Sequence, residues 1–178
     1  MIVVLPPRYI SLPHLIVTQN IRIKGSPGTL VEINNGMVIL NSDKVKLSIS
    51  ECSFVFNLDI KTILEKISAD EYLRKHVTQV NGRYFIPLIK SVKPSSIEIN
   101  DCDFRTILHD GEDLIDEYDH NRIIFDTCFV FPKSGLAESQ LSLHSTIFSN
   151  FFKIIEANDC ALISIDNCHL SDTVSNAV

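Results

Sequence analysis

Leu47-Ser-Ile49-Ser-Glu-Cys52-Ser-Phe54 and Ile97-Glu-Ile99-Asn-Asp-Cys102-Asp-Phe104 are one phrase written twice, and three further stretches repeat it. These are Ile123-Ile-Phe125-Asp-Thr-Cys128-Phe-Val130, Leu141-Ser-Leu143-His-Ser-Thr146-Ile-Phe148 and Ile163-Ser-Ile165-Asp-Asn-Cys168-His-Leu170. Each has apolar residues at offsets 0, 2 and 7, cysteine or threonine at offset 5, and a polar pair at offsets 3 and 4. On an α-helix these offsets scatter around the axis and define no face. On one straight strand, offsets 0 and 2 face one side while 5 and 7 face the other. A bend at the polar pair resets the alternation, so that all four side chains turn inward. The phrase therefore predicts strand, corner, strand around a common core.

Stacked copies put Leu47, Ile97, Ile123, Leu141 and Ile163 in one expected ladder, and Cys52, Cys102, Cys128, Thr146 and Cys168 in another, with neighbouring turns about 4.8 Å apart. Cysteine fits the inner corner as a small hydrophobe, in preference to a thiol metal site. The rows begin 26, 18 and 22 residues apart from Ile97 onward. The interval of 50 from Leu47 to Ile97 holds either two turns or one turn with an excursion. A weaker copy starts at Ile21-Arg-Ile23. Thr29 to Ile33 and Met37 to Leu40 complete its turn on either side of Asn34-Asn35-Gly36, a turn signal.

The Ile-x-Ile-x-Asn-x-Cys-x-Phe phrase, over roughly residues 21 to 59 and 95 to 170, resembles the repeats of the right-handed parallel β-helix, or pectate-lyase-like, superfamily. The expected fold is all-β: a short right-handed parallel β-helix with one partly helical excursion, forming a single domain over 1–178. Residues 1–20, with Pro6, Pro7 and Pro13, are expected to cap it, 95–170 to be its regular coils and 171–178 a tail. The resemblance says little about activity, because such a fold hosts unrelated functions.

Residues 59–94 break the pattern. Ile60, Ile63, Leu64 and Ile67 recur at helical spacing, and a second short helix fits within Asp70 to Val77. Asn81-Gly82 then turns the chain into a strand from Arg83 to Ile86, closed by Pro87. The segment reads as a lateral excursion packed on the wall, or as a projection for a partner. A second departure, His109 to His120, carries six carboxylates without EF-hand order and reads as a solvated acidic loop.

No catalytic constellation emerges, and no catalytic, cofactor-binding or metal-binding residue is assigned. The superfamily's lyases resemble one another in binding calcium through aspartates and using an arginine or lysine base. Its pectinase-type hydrolases carry four motifs, of which only Arg22-Ile23-Lys24 appears here. The one carboxylate pair worth weighing for acid/base work is Asp101 with Asp126, which needs a separation of about 5 to 10 Å; polar corner chemistry explains both acids better. There is no Gly-x-Ser-x-Gly, and Gly25-Ser-Pro-Gly28 is too short for a phosphate loop. His76, His144 and His169 read as surface positions, and Arg74-Lys75-His76 as a solvated helix face.

A net charge of -6 argues against nucleic-acid binding, which needs clustered basic surface. No apolar run approaches the roughly 20 residues that span a bilayer. Met1 to Leu5 lacks a basic flank and meets Pro6-Pro7 too soon for a secretion signal. Five cysteines without Cys-x-x-Cys spacing suggest neither a disulfide framework nor a zinc site. Together these signs favour an intracellular, reducing compartment, with the cytoplasm as the expected location. After Leu170 too little chain remains for a capping helix, so the last coil is expected to be covered by a protein partner or another copy. The resemblance is nearest to intracellular non-catalytic members, the F-box β-helix and SHC-binding, centralspindlin-associated types. It implies a protein-interaction scaffold within a larger assembly, with a divergent carbohydrate-active β-helix as the alternative.

Overall fold

The computed structural model describes residues 1–109, 124–131, 138–158 and 160–171. The chain visits three sheets in turn. The first pass lays down β1 (Ile2–Val4), β2 (Tyr9–Leu12) and β3 (Leu15–Val17). The second gives β4 (Ile21–Lys24), β5 (Leu30–Asn34) and β6 (Val38–Leu40). In the third, β7 (Val45–Ser50) and β8 (Ser53–Asp59) are followed by α1 (Ile60–Ala69), α2 (Glu71–Arg74) and β9 (Thr78–Val80) before β10 (Arg83–Ser91). The fourth comprises β11 (Ser95–Asn100), β12 (Asp103–His109) and β13 (Ile124–Phe131). The fifth comprises β14 (Ser139–His144), β15 (Ile147–Ser149) and β16 (Lys153–Ala157). The sixth contributes β17 (Cys160–Asp166) and β18 (His169–Ser171).

Strands of successive passes pair in parallel, in the orders β1-β4-β7-β11-β14-β17, β2-β5-β8-β12-β15-β18 and β3-β6-β10-β13-β16. Among the described residues the one antiparallel partner is β9, which forms a hairpin with β10 through Asn81-Gly82. Both turn residues have positive φ, 49° and 78°, as a two-residue hairpin turn demands.

The corner that the repeat implied is present at the polar pair. Glu51, Asp101, Ser145 and Asn167, all at offset 4, have φ between 47° and 58°. This left-handed conformation is what swings the strand after it inward. Between them the registers run Leu47↔Ile97, Ile97↔Leu141 and Leu141↔Ile163. Ile21↔Leu47 places the weaker copy in the same ladder.

The row containing Phe125 and Cys128 does not belong to that ladder. Ile123 lies outside the described residues, and Ile124–Phe131 is a single strand of the third sheet, paired with β10 and β16. Thr127 has no positive φ, so no corner forms. A β-branched side chain resists the left-handed region more than Glu, Asp, Ser or Asn does. The corner column is accordingly Cys52, Cys102, Thr146 and Cys168, with Cys128 buried elsewhere. The 50-residue interval holds one pass with an excursion.

Three further expectations change. Residues 1–20 are not a cap: they supply one strand to each sheet. Pro87 does not end its strand, which runs on to Ser91 with Pro87 opposite Thr127. What stands outside the three sheets is therefore shorter than 59–94, since 83–91 is a strand of the third sheet. The acidic stretch from 110 to 120 lies outside the described residues.

The core is a phenylalanine stack continuing the apolar ladders. Phe54 and Phe104 stack at 5.2 Å, and Phe104 also meets Phe56, Phe129 and Phe148 at 5.8–6.5 Å. All five rings are fully or almost fully buried. Where chain segments approach most closely, glycine is required: a Cβ on Gly36 would lie 1.6 Å from the Pro13 carbonyl oxygen.

Candidate functional site

Among the described residues, two places stand out as exposing chemistry that packing has not consumed. The first is the face of the sixth pass. Leu141, Leu143 and Phe148 are at most 2% exposed, whereas their register partners Ile163, Ile165 and Leu170 are 37%, 49% and 44% exposed. The pattern that buries a residue in the interior of the stack leaves it open here, because no later strand lies over β17 and β18 among the described residues. The first pass is open to a lesser degree: Val3 and Ile10 are half-buried where their register partners Ile23 and Val31 are buried, and Ile2 and Val4 are exposed on its outer wall. Parallel strand edges of this kind present unpaired backbone groups.

The second place is a cleft of about 270 Å³ between the α2–β9 connection and the third sheet, lined by His76, Thr78, Phe85, Lys90, Thr127 and Glu156 among others. The excursion is held there by identifiable contacts. Asp59 caps α1 by accepting from Thr62 N at 2.7 Å, and hydrogen bonding from the Thr62 side chain, followed by that backbone bond, holds its carboxyl below the usual carboxylate range. Ile63 and Ile67 bury one face of α1. Lys66 Nζ donates to the Asn34 and Asn35 carbonyls at 3.3 Å. Asp70 caps α2 through Tyr72 N and Leu73 N.

Within the cleft, Lys90 Nζ donates to the His76 carbonyl at 2.9 Å. Burial lowers the Lys90 ammonium's pKa, and Glu156 opposes that shift. The His76 imidazole is pushed down to about 4 by burial, with Lys90 and Lys75 adding to it. It packs edge-on against Tyr72 at 4.9 Å, and its Nε2 is buried without a hydrogen-bond partner. His76 is thus a buried residue and not a surface one, although Arg74 and Lys75 beside it are exposed. His144, half exposed, pairs with Asp166 at 2.9 Å, and His169 is exposed.

The structure does not bring Asp101 and Asp126 together as corner neighbours. Asp101 is an exposed corner residue, while Asp126 is fully buried in β13. The Asp126 carboxylate accepts from Thr106 Oγ1 at 3.2 Å and from Phe152 N at 3.3 Å, which makes it a bracket between sheets. Arg22 and Lys24 lie exposed on β4, and Lys24 pairs with Glu51.

The corner cysteines are free thiols. Cys102 Sγ donates to the Asn100 carbonyl at 3.1 Å. The hydrogen-bonded Cys102 thiol, followed by burial, raises the Cys52 pKa, and burial raises that of Cys128. Among the described residues no cluster of three or more His, Cys, Asp and Glu is placed to hold a metal ion, and no helix is long and apolar enough to cross a membrane.

The Lys90 cleft was invisible in the sequence because His76, Lys90, Thr127 and Glu156 come from three different passes and share no local spacing. Comparisons with protein-family models, with curated proteins and with solved structures found no match.

Proposed function

We propose that the chain is a short right-handed parallel β-helix of the pectate-lyase-like kind, serving as a non-catalytic protein-interaction scaffold within a larger assembly. The cyclic order of the sheets supports the β-helix, and the strong preference of parallel crossovers for one hand supports its handedness. The observation that carries the function is the apolar last pass: Ile163, Ile165 and Leu170 continue the core ladders into open surface. A stack of repeats needs its terminal faces covered, and a protein partner at this face covers one. The α1–α2 excursion is the second projecting surface. Buried free cysteines suit a reducing, intracellular setting, and the charge of -6 suits a protein rather than a nucleic-acid partner.

The test is capture of a partner from native extract by wild type and by Ile165→Lys, with Lys93→Glu, exposed between β10 and β11 and away from both surfaces, as control. The proposal expects a specific protein retained by wild type and by the control and lost with Ile165→Lys. Equal retention by all three, or none, contradicts it.

A divergent carbohydrate-active β-helix is the second reading, and the Lys90 cleft favours it. A half-buried ammonium with lowered pKa beside Glu156, two threonine hydroxyls and the Phe85 ring has the composition of a sugar-binding groove. Depolymerisation of acidic polysaccharides that is lost in Lys90→Met would support this reading; inertness across a polysaccharide panel removes it.

A further inference from the structure

We infer that the partner of the last pass is a second copy of this chain, stacked head to tail so that its first pass continues the sheets. The inference rests on the docking reading above and names the occupant.

The backbone shows what either end is built to receive. At one corner Leu30 N donates to Arg8 O, Ser53 N to Thr29 O, Asp103 N to Cys52 O, Ile147 N to Cys102 O and His169 N to Thr146 O. The next acceptor in this series is Cys168 O, and the donor that begins it is Tyr9 N. At the other corner Leu5 N donates to Lys24 O, Gly25 N to Ser50 O, Glu51 N to Asn100 O, Asp101 N to His144 O and Ser145 N to Asp166 O. Here the next donor is Asn167 N and the first acceptor is Val4 O. Each end supplies what the other lacks, with the same strand direction.

The side-chain columns agree. Continuing the observed registers sets Val3 of a second copy over Ile165 and Leu143, and Ile10 over Leu170 and Phe148. The exposed Ile163, Ile165 and Leu170 of one copy and the half-buried Val3 and Ile10 of the next would then be covered by the ladder contacts that bury their equivalents inside.

Charge selects this pairing over contacts between like ends. Among the described residues the first pass carries Arg8 and no Asp or Glu, and the last pass carries Asp166 and no Lys or Arg. Two first passes or two last passes would bring like charge together, whereas head to tail brings opposite charge together. A heterologous contact of this kind does not close on itself, so it generates an open series whose mean mass rises with concentration.

The test is sedimentation velocity of the untagged full chain over a concentration series, with one variant blocking each end. Val3→Lys places an ammonium on the first pass and Ile165→Lys places one on the last. Burial of that charge weakens association by about a hundredfold or more, and circular dichroism establishes that each variant is folded. Wild type is expected to form a concentration-dependent series. Each variant alone is expected to stay monomeric, and an equimolar mixture of the two to form a dimer and stop there.

A wild type that stays monomeric at every concentration overturns the inference, and so does dimerisation of either blocked variant by itself. If wild type stays monomeric yet Ile165→Lys abolishes capture of a different protein, the docking reading stands and the head-to-tail inference alone falls.

Discussion

Replacing Phe104 by alanine removes the ring on which the interior converges. Phe104 is fully buried, stacks on Phe54 at 5.2 Å and meets the rings of Phe129 and Phe148 at 6.2 and 5.8 Å. Loss of the ring's transfer free energy and the cavity left behind cost about 3–5 kcal/mol for a buried phenylalanine. The parallel sheets above and below limit collapse into the void, which argues for the upper half of that range. For a chain of this size each kcal/mol lowers Tm by roughly 2–4 °C, so the melting point should fall by roughly 6–20 °C. Leu170 occupies the same column, two passes along, but is 44% exposed. Leu170→Ala should therefore cost less than about 1.5 kcal/mol. Urea titrations of both variants, followed by far-UV circular dichroism and fluorescence of the tyrosines, measure the difference. Equal losses, or a loss below about 1.5 kcal/mol for Phe104→Ala, would refute the stacking on which everything else depends.

Four other outcomes follow from particular residues. Ser145→Gly, at a left-handed corner, should be neutral or stabilising by up to about 1 kcal/mol, whereas Ser145→Val should destabilise by about 1–2 kcal/mol; chemical denaturation checks the pair. Gly36→Ala should reduce stability severely, because its Cβ would overlap the Pro13 carbonyl, and thermal melting reads this directly. His76 is depressed to about 4 from 6.5, so the unfolded chain binds the proton more readily. Stability should be complete above about pH 6.5 and fall as pH drops towards 4, by between about 1 and 3 kcal/mol, and His76→Gln should flatten that part of the profile. In native thiol labelling mapped by mass spectrometry, Cys168, the half-exposed corner thiol, should react well before Cys52 and Cys128, whose thiolates are disfavoured by their surroundings.

Much of this architecture was legible in the residues because strand and corner leave a compact local signature. The apolar pair at offsets 0 and 2, the polar pair, and the small residue at offset 5 specify two strands and a bend within eight residues. The helix from Ile60 and the Asn81-Gly82 hairpin were equally local, since both depend on spacing or on residues tolerant of positive φ. The row at Phe125 failed because apolar patterning says which side chains are buried and not where the chain bends. Thr127 carried the missing signal: a β-branched residue cannot readily take the conformation found at Glu51, Asp101, Ser145 and Asn167. The buried state of His76 and the Lys90 cleft had no signature, because tertiary contacts between passes create them. Residues 1–20 looked like a cap because their prolines suggested irregular chain, yet Pro6, Pro7 and Pro13 sit between strands, where the missing N–H costs no ladder bond.

Hydrogen exchange on β17 and β18, measured at low and high protein concentration and with any captured partner, tests the docking face most directly. The account predicts that amides of Cys160–Asp166 and His169–Ser171 exchange much faster than those of β11 and β12 in the dilute chain. On association they should slow by about tenfold or more while the interior strands stay unchanged. Protection of β17 equal to that of β11 in the isolated chain, or slowing on association confined to the α1–α2 excursion, would contradict it.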